Sequence, residues 1–260
     1  MKIVVVVGTY RKSGTGMQYL SAIEKTIRNS FDAEFEYLFL GDCNLQTCRG
    51  CWTCYERGEE NCPLKDGFLN AIRILNSADA TIFYSPTYTL SISGLLKTFF
   101  DRGSYVLHRP YFKGRYALLL SSTLLVGEKK ALHTMDTIVS GMGFTIAGRL
   151  GIAGEKYAKQ ARYKSRWDQR LQKSALRFAA LAAEAKPIRP SIFDLLVFNM
   201  QKRIYSRPNG GSRSDRQFWQ SKGWTHPQTR FYCKAKIPAY KRLAAGLIET
   251  IALKTGLVQL

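Results

Sequence analysis

The 260-residue sequence has no stretch near the ~18 consecutive apolar residues that a membrane-spanning helix needs. Its start, MKIVVVVGTYRKSG, sets one lysine before five apolar residues and then enters a Gly-rich turn with no small-residue cleavage site. That pattern is a buried strand rather than a signal peptide. It predicts a cytoplasmic chain, where thiols are normally reduced and a disulfide framework is disfavoured. No G-x-G-x-x-G follows the first apolar run, which counts against a Rossmann nicotinamide cradle. Histidine is scarce at three residues, and His108 and His133 read as surface or helix-packing side chains. Acidic residues are the other shortage, 19 Asp+Glu against 39 Lys+Arg. The imbalance is uneven: residues 1–154 hold 17 Lys+Arg against 13 Asp+Glu, and residues 155–260 hold 22 against 6. Such a split predicts two parts with different roles, residues 1–154 and a basic extension, 155–260, that meets something anionic.

What is present is a βα alternation. Lys2–Val7 is a β-branched run ending at Gly8, the pattern of a strand buried on both faces. Glu34–Leu40, Ala80–Tyr84, Tyr116–Leu120 and Phe144–Ala147 read as further strands. Helical periodicity covers Gly16–Ser30, Asp66–Asn76, Ser93–Arg102 and Lys129–Met142 between them. This alternation predicts an α/β fold with a five-stranded parallel sheet in the flavodoxin-like doubly wound order. In the extension, Asp168–Ala185 is helical and Ser191 caps a second helix. RPNGGSRSDR reads as a loop, and Ala239–Leu257 as a last helix.

Three constellations carry chemistry. The turn GTYRKSGTG, Gly8–Gly16, follows a strand and opens a helix, which aims backbone N–H groups and the helix dipole at a phosphate. Thr9, Ser13 and Thr15 add hydroxyls, and Arg11 and Lys12 add charge. SPTYTLSISG, Ser85–Gly94, follows the third strand on the same rim. There Pro86 stiffens the backbone, Thr87, Thr89, Ser91 and Ser93 supply hydrogen bonds, and Tyr88 can lie against a planar ring. TCRGCWTCYERGEENC sets Cys48, Cys51, Cys54 and Cys62 in a C-x2-C-x2-C-x7-C spacing. Four thiolates in one loop suit a [4Fe–4S] cube, whereas zinc prefers two separated pairs. Packing of reduced cysteines is the other reading, and the spacing leaves both open.

In this order, GTYRKSGTG, CRGCWTC with its C-P-L-K-D continuation, and SPTYTLSISGLLKTFFDR resemble the NADPH-dependent FMN reductases. More narrowly they resemble the iron–sulfur flavoprotein branch, over about residues 1–150. The resemblance implies FMN, with its phosphate at Arg11, Ser13 and Thr15. It implies a flavin ring near Ser85, Pro86, Thr87 and Tyr88, with Ser121 and Ser122 close by. It also implies a cluster that exchanges electrons with the flavin, and a homo-oligomer. Tyr105 and Arg109 stand where the family's loop can reach the ring or a second subunit.

The function this predicts is an NAD(P)H-dependent flavin oxidoreductase acting on an unidentified acceptor, with no side chain needed as nucleophile. The alternative is a ferredoxin-linked electron carrier without nicotinamide turnover. For the extension, apolar stripes flanked by Lys and Arg predict contact with an anionic membrane surface, peripheral to the bilayer. Basic residues interleaved with Phe218, Trp219, Trp224, Phe231 and Tyr232 admit nucleic acid as a disfavoured second reading.

Overall fold

A computed structural model describes residues 1–184 and 187–255. In chain order the elements are β1 (Lys2–Val7), α1 (Thr15–Arg28), β2 (Glu34–Phe39), α2 (Thr53–Glu56), α3 (Phe68–Asn76), β3 (Ala80–Tyr88), β4 (Ser91–Ile92), α4 (Gly94–Arg102) and β5 (Tyr116–Thr123). They continue with α5 (Glu128–Gly141), β6 (Thr145–Ala153), α6 (Gly154–Lys159), α7 (Ala161–Glu184), α8 (Ile192–Tyr205), α9 (Arg213–Ser221) and α10 (Ala239–Lys254). These elements form two compact units, Met1–Gly50 with Leu64–Ala185, and Cys51–Pro63 with Lys186–Leu260.

The first unit is built on β1. Its residues Ile3 to Val7 are buried because helices cover both faces of the sheet, so an unbroken β-branched run is the pattern that fits. The parallel order is β2-β1-β3-β5-β6, with β4 folded back antiparallel on β3. This is the flavodoxin-like arrangement that the alternation predicts. β3, β5 and β6 run longer than their hydrophobic runs indicate, to Tyr88, Thr123 and Ala153. Their polar ends still pair in the ladder, Pro86 opposite Ser122 among them, so the strands carry the site residues on their own carboxyl ends.

Compactness divides the chain elsewhere than at residue 154. Trp167, Leu171, Ala175, Phe178 and Ala179 of α7 join the sheet's core, and α7 packs on α1, β5 and β6. The charge count misplaces this helix because its exposed face carries Arg162, Arg166, Arg170, Lys173 and Arg177 while its apolar stripe faces the sheet. It begins at Ala161 rather than Asp168, and its expected last residue, Ala185, lies outside the described residues.

The second unit has its own aromatic core of Phe198, Tyr205, Trp219, Trp224, Phe231 and Tyr232. Trp219 and Trp224 meet edge-on at 5.2 Å, and Trp224 Nε1 donates to the Tyr232 carbonyl at 3.0 Å. Four of the five aromatics that a nucleic-acid surface would present for stacking, Trp219, Trp224, Phe231 and Tyr232, are therefore core side chains, and Phe218 packs against them partly buried. Ser191 caps α8 as expected, in a reciprocal pair with Asp194. α9 starts inside the stretch read as a loop, where the Ser212 hydroxyl accepts from the Asp215 N–H. α10 ends at Lys254, and the expected terminus Leu257 lies outside the described residues. α2 of the cysteine segment packs on α9, a pairing no local pattern reveals. Among the described residues no helix is long and apolar enough to cross a membrane.

Candidate functional site

At the carboxyl edge of the first unit's sheet, the turn after β1, the β3–β4 hairpin and the loop after β5 enclose a cavity of about 330 Å³. A serine network holds these turns together. Gly8 N–H donates to the Tyr84 carbonyl at 2.8 Å, and Ser93 Oγ donates to the Gly8 carbonyl at 2.6 Å. The same Ser93 oxygen accepts from Leu96 N–H and so caps α4, while Ser93 N–H donates to Ser85 Oγ at 2.9 Å. Gly8 must be glycine here, since a Cβ would stand 2.8 Å from the Leu96 Cβ.

Of the ten residues predicted for the cofactor, Thr9, Arg11, Ser13, Thr15, Pro86, Thr87, Tyr88 and Ser122 line this cavity. Ser85 and Ser121 stand behind its wall, fully buried. Ser85 joins the serine network, and Ser121 Oγ pairs with Thr87 Oγ1 at 3.0 Å. Strand alternation explains the exclusion: Ser122 and Ser121 point to opposite faces of β5. Tyr105 and Arg109 are buried as well, with the guanidinium over the Tyr105 ring.

The sequence reading missed the wall that helices and strand ends contribute: Gly14, Gly16, Met17, Tyr19, Tyr84, Thr123, Leu124 and Gly154. For Gly14 and Gly16 the signal was present in the turn. Gly14 adopts φ +99°, and Gly16 passes against the Tyr84 hydroxyl, itself 2.9 Å from Ser122 Oγ. Tyr19 gave no signal, because it reads as part of α1's apolar stripe. Its ring packs on Trp167 at 4.7 Å and on Tyr157 at 5.4 Å. Tyr19 is among the residues that line the cavity, and its hydroxyl is buried with no hydrogen-bond partner. Burial pushes this phenol well above the usual tyrosine range, so it is a protonated donor with nothing to donate to.

A cavity with a Gly/Ser/Thr turn at a helix N-terminus, an arginine and an orphaned buried donor has the chemistry to hold a flavin nucleotide phosphate and ribityl chain. Tyr19→Phe tests the fit in both directions. Without ligand the variant is expected to gain about 1 kcal/mol, because an unsatisfied buried hydroxyl is removed. FMN affinity is expected to fall about tenfold, read by fluorescence titration of the apoprotein.

The hairpin tip is strained. Thr87 pairs with Ile92 and Tyr88 with Ser91, leaving Thr89 and Leu90 as a two-residue turn with φ +48° and +60°. Asn-Gly is the natural occupant of such a turn, and left-handed Thr and Leu cost free energy that the surroundings must hold. Gly127 receives the tip, for a Cβ there would meet the Thr87 methyl at 2.9 Å. Thr89→Asn with Leu90→Gly is expected to stabilise the protein by about 1 kcal/mol. Calorimetry would show this as a Tm higher by roughly 2–4 °C.

The cysteine segment divides between the units, Cys48 in the first and Cys51, Cys54 and Cys62 in the second. All six cysteines of the chain are thiols, with Cys48 and Cys51 exposed. Cys54 lies on α2, and Cys62 ends a separate short helical turn, so local structure spreads the thiols along the segment. Among the described residues no three His, Cys, Asp or Glu side chains gather as a metal site requires. The predicted ligand set is present on this segment as a donor chemistry. Cys43 is half-buried, and burial raises its thiol pKa.

Comparison with known proteins agrees with this fold. Residues 1–158 match the NADPH-dependent FMN reductases. An iron–sulfur flavoprotein of Archaeoglobus fulgidus is 30% identical over 230 residues, 86% of this chain and 100% of that protein. One of Clostridioides difficile is 27% identical over 203 residues, 76% of this chain and 88% of its own. Among solved structures, RosB with bound 8-demethyl-8-formylriboflavin-5'-phosphate shares the fold, with TM-score 0.56 at 12% identity over 71% of this chain and 79% of that one. The chain therefore belongs to the NADPH-dependent FMN reductase family, as a flavin oxidoreductase whose relatives include iron–sulfur flavoproteins.

Proposed function

We propose that this protein is an NAD(P)H-dependent oxidoreductase that holds FMN in the cavity between the Gly8–Gly16 turn and the β3–β4 hairpin. The observation that carries the proposal is that cavity, which joins a phosphate-type turn to the hairpin wall and has Tyr19, with its unsatisfied buried hydroxyl, among its lining residues. The turn's N–H groups and the hydroxyls of Thr9, Ser13 and Thr15 bind the phosphate, with Arg11 adding charge. Pro86, Thr87 and Tyr88 orient the ring edge from the hairpin, with Ser122 beside Pro86 on the neighbouring strand. When bound, FMN supplies the two-electron chemistry that links a nicotinamide to an acceptor. Among the described residues lining the cavity there is no Asp, Glu, His or Cys. The side chains' part is accordingly binding and orientation rather than nucleophilic attack or carboxylate acid–base work.

Anaerobic mixing of the FMN-loaded protein with NADPH, and separately with NADH, tests this reading. Bleaching of the flavin within the turnover time is the expected result. Indifference to both nucleotides with rapid reduction by ferredoxin would make the protein an electron carrier instead.

An iron–sulfur centre on Cys48, Cys51, Cys54 and Cys62 belongs to the proposal on two grounds, the thiol spacing and the names borne by the relatives. Protein purified without oxygen is expected to contain about four irons and four sulfides per FMN. Flavin without iron would leave the cysteines as packing or redox-sensitive thiols.

A further inference from the structure

We infer that the outward face of α10 docks this protein on a bilayer surface that carries anionic lipid. The helix stands with its apolar side to solvent. Its buried residues are Ala245 and Glu249, and Glu249 accepts from Arg203 Nε of α8 at 2.8 Å. Helical rotation puts Tyr240, Leu243, Leu247 and Ile251 on the opposite side. They are 64%, 74%, 63% and 50% exposed. A helix that existed only to cover its own unit would bury these side chains and expose the glutamate. Lys241 Nζ donates to the Pro190 carbonyl, and Arg203 meets Glu249 further along both helices, so α8 and α10 run in the same direction. Phe193 of α8, 72% exposed, therefore stands level with the Leu243 end of α10.

Charge identifies the occupant. Residues 187–255 hold 13 Lys+Arg against 3 Asp+Glu. Exposed Lys234 and Lys236 lead into α10, and exposed Arg242 and Lys254 lie on it. A second copy of this chain would bring the same cationic surface against itself, which like-charge repulsion opposes. A bilayer with anionic headgroups accepts both features at once. The apolar side chains enter the headgroup–acyl boundary, and the Lys and Arg stems reach back to the phosphate layer. α10 is 16 residues long, and no helix among the described residues can cross a membrane, so it lies in the plane of the surface.

Co-sedimentation of the full-length protein with vesicles of phosphatidylcholine, alone or mixed with phosphatidylglycerol, tests this. Binding is expected to the mixed vesicles only, and to weaken as salt rises. Leu243→Glu with Leu247→Glu is expected to abolish it, and Arg242→Gln with Lys254→Gln to weaken it about fivefold per charge. These positions are exposed, so flavin content and Tm should stay unchanged in the variants. Should the glutamate pair unfold, serine at both positions carries the same comparison. Binding to neither vesicle, or equal binding by the Leu243/Leu247 variants, would overturn the inference. A wild-type dimer that dissociates in those variants without any lipid binding would assign the face to a second copy, and capture by an acidic protein without lipid binding would assign it to a protein partner.

Discussion

Arg102→Ala is expected to destabilise the first unit by about 3–5 kcal/mol, the cost of leaving a buried carboxylate without its cation. Arg102 and Asp66 form an ion pair in which both side chains are 2% exposed. The pair ties together the two ends of the cysteine segment. Asp66 accepts from the N–H of Gln46 at 2.8 Å and of Phe68 at 3.1 Å, and Arg102 Nη1 donates to the Gln46 carbonyl at 3.1 Å. The guanidinium also lies over the Phe68 ring, 4.8 Å from its centre. Burial alone would raise the Asp66 pKa, but the Arg102 hydrogen bond, the two backbone donors and the guanidinium charge outweigh it, so the net shift is downward. A carboxyl with a lowered folded pKa contributes stability above its unfolded value, near 4, and loses it as the pH falls through the folded value. Urea titrations of the wild type should therefore show this contribution intact at neutral pH and fading below about pH 4. The Arg102→Ala curve should lack that acid limb. A variant within about 0.5 kcal/mol of the wild type would show that the pair is not holding the segment.

Gly16→Ala is expected to lower FMN retention about tenfold or more, an effect of at least ~1.4 kcal/mol. A Cβ at this position would stand 1.9 Å from the Tyr84 hydroxyl and 2.3 Å from its ring carbon. Two terms oppose each other. Alanine favours a helical backbone over glycine by up to about 1 kcal/mol. Overpacking of a well-filled site costs about 1–3 kcal/mol, and Tyr84 has room to move only toward the cavity, because its ring is otherwise buried and its hydroxyl is tied to Ser122. The clash wins, and the ring yields on its open side, which is the cavity. Flavin per chain after gel filtration measures the outcome. Gly94→Ala is the control, since a Cβ there meets nothing within 4 Å, and it should keep its flavin.

The readable part of this fold was the part written in local patterns. β1 is legible from five consecutive apolar residues, and the Gly8–Gly16 turn from glycines and hydroxyls placed between a strand and a helix. Ser191 announces α8 because a cap is a contact between near neighbours in sequence, and that contact formed with Asp194. Ser85 and Ser121 show where such reading stops. They have the same composition as the residues that line the cavity, but strand alternation and the serine network turn them inward. Tyr19 shows the converse, an apolar-stripe residue on α1 that ends up among the residues lining the cavity.

The sequence by itself determined the strand order class, the phosphate-type turn, the thiol spacing and the concentration of positive charge after residue 154. Each depends on residue type and on neighbours a few positions away. Tertiary structure alone decided that α7 belongs to the sheet, that α2 packs on α9, that the late aromatics form a core, and that α10 turns its leucines outward. An amphipathic stripe states that a helix has an apolar side. Which surface that side meets depends on partners distant in sequence, and in α10 the buried side is held by Arg203 and Glu249 rather than by leucine.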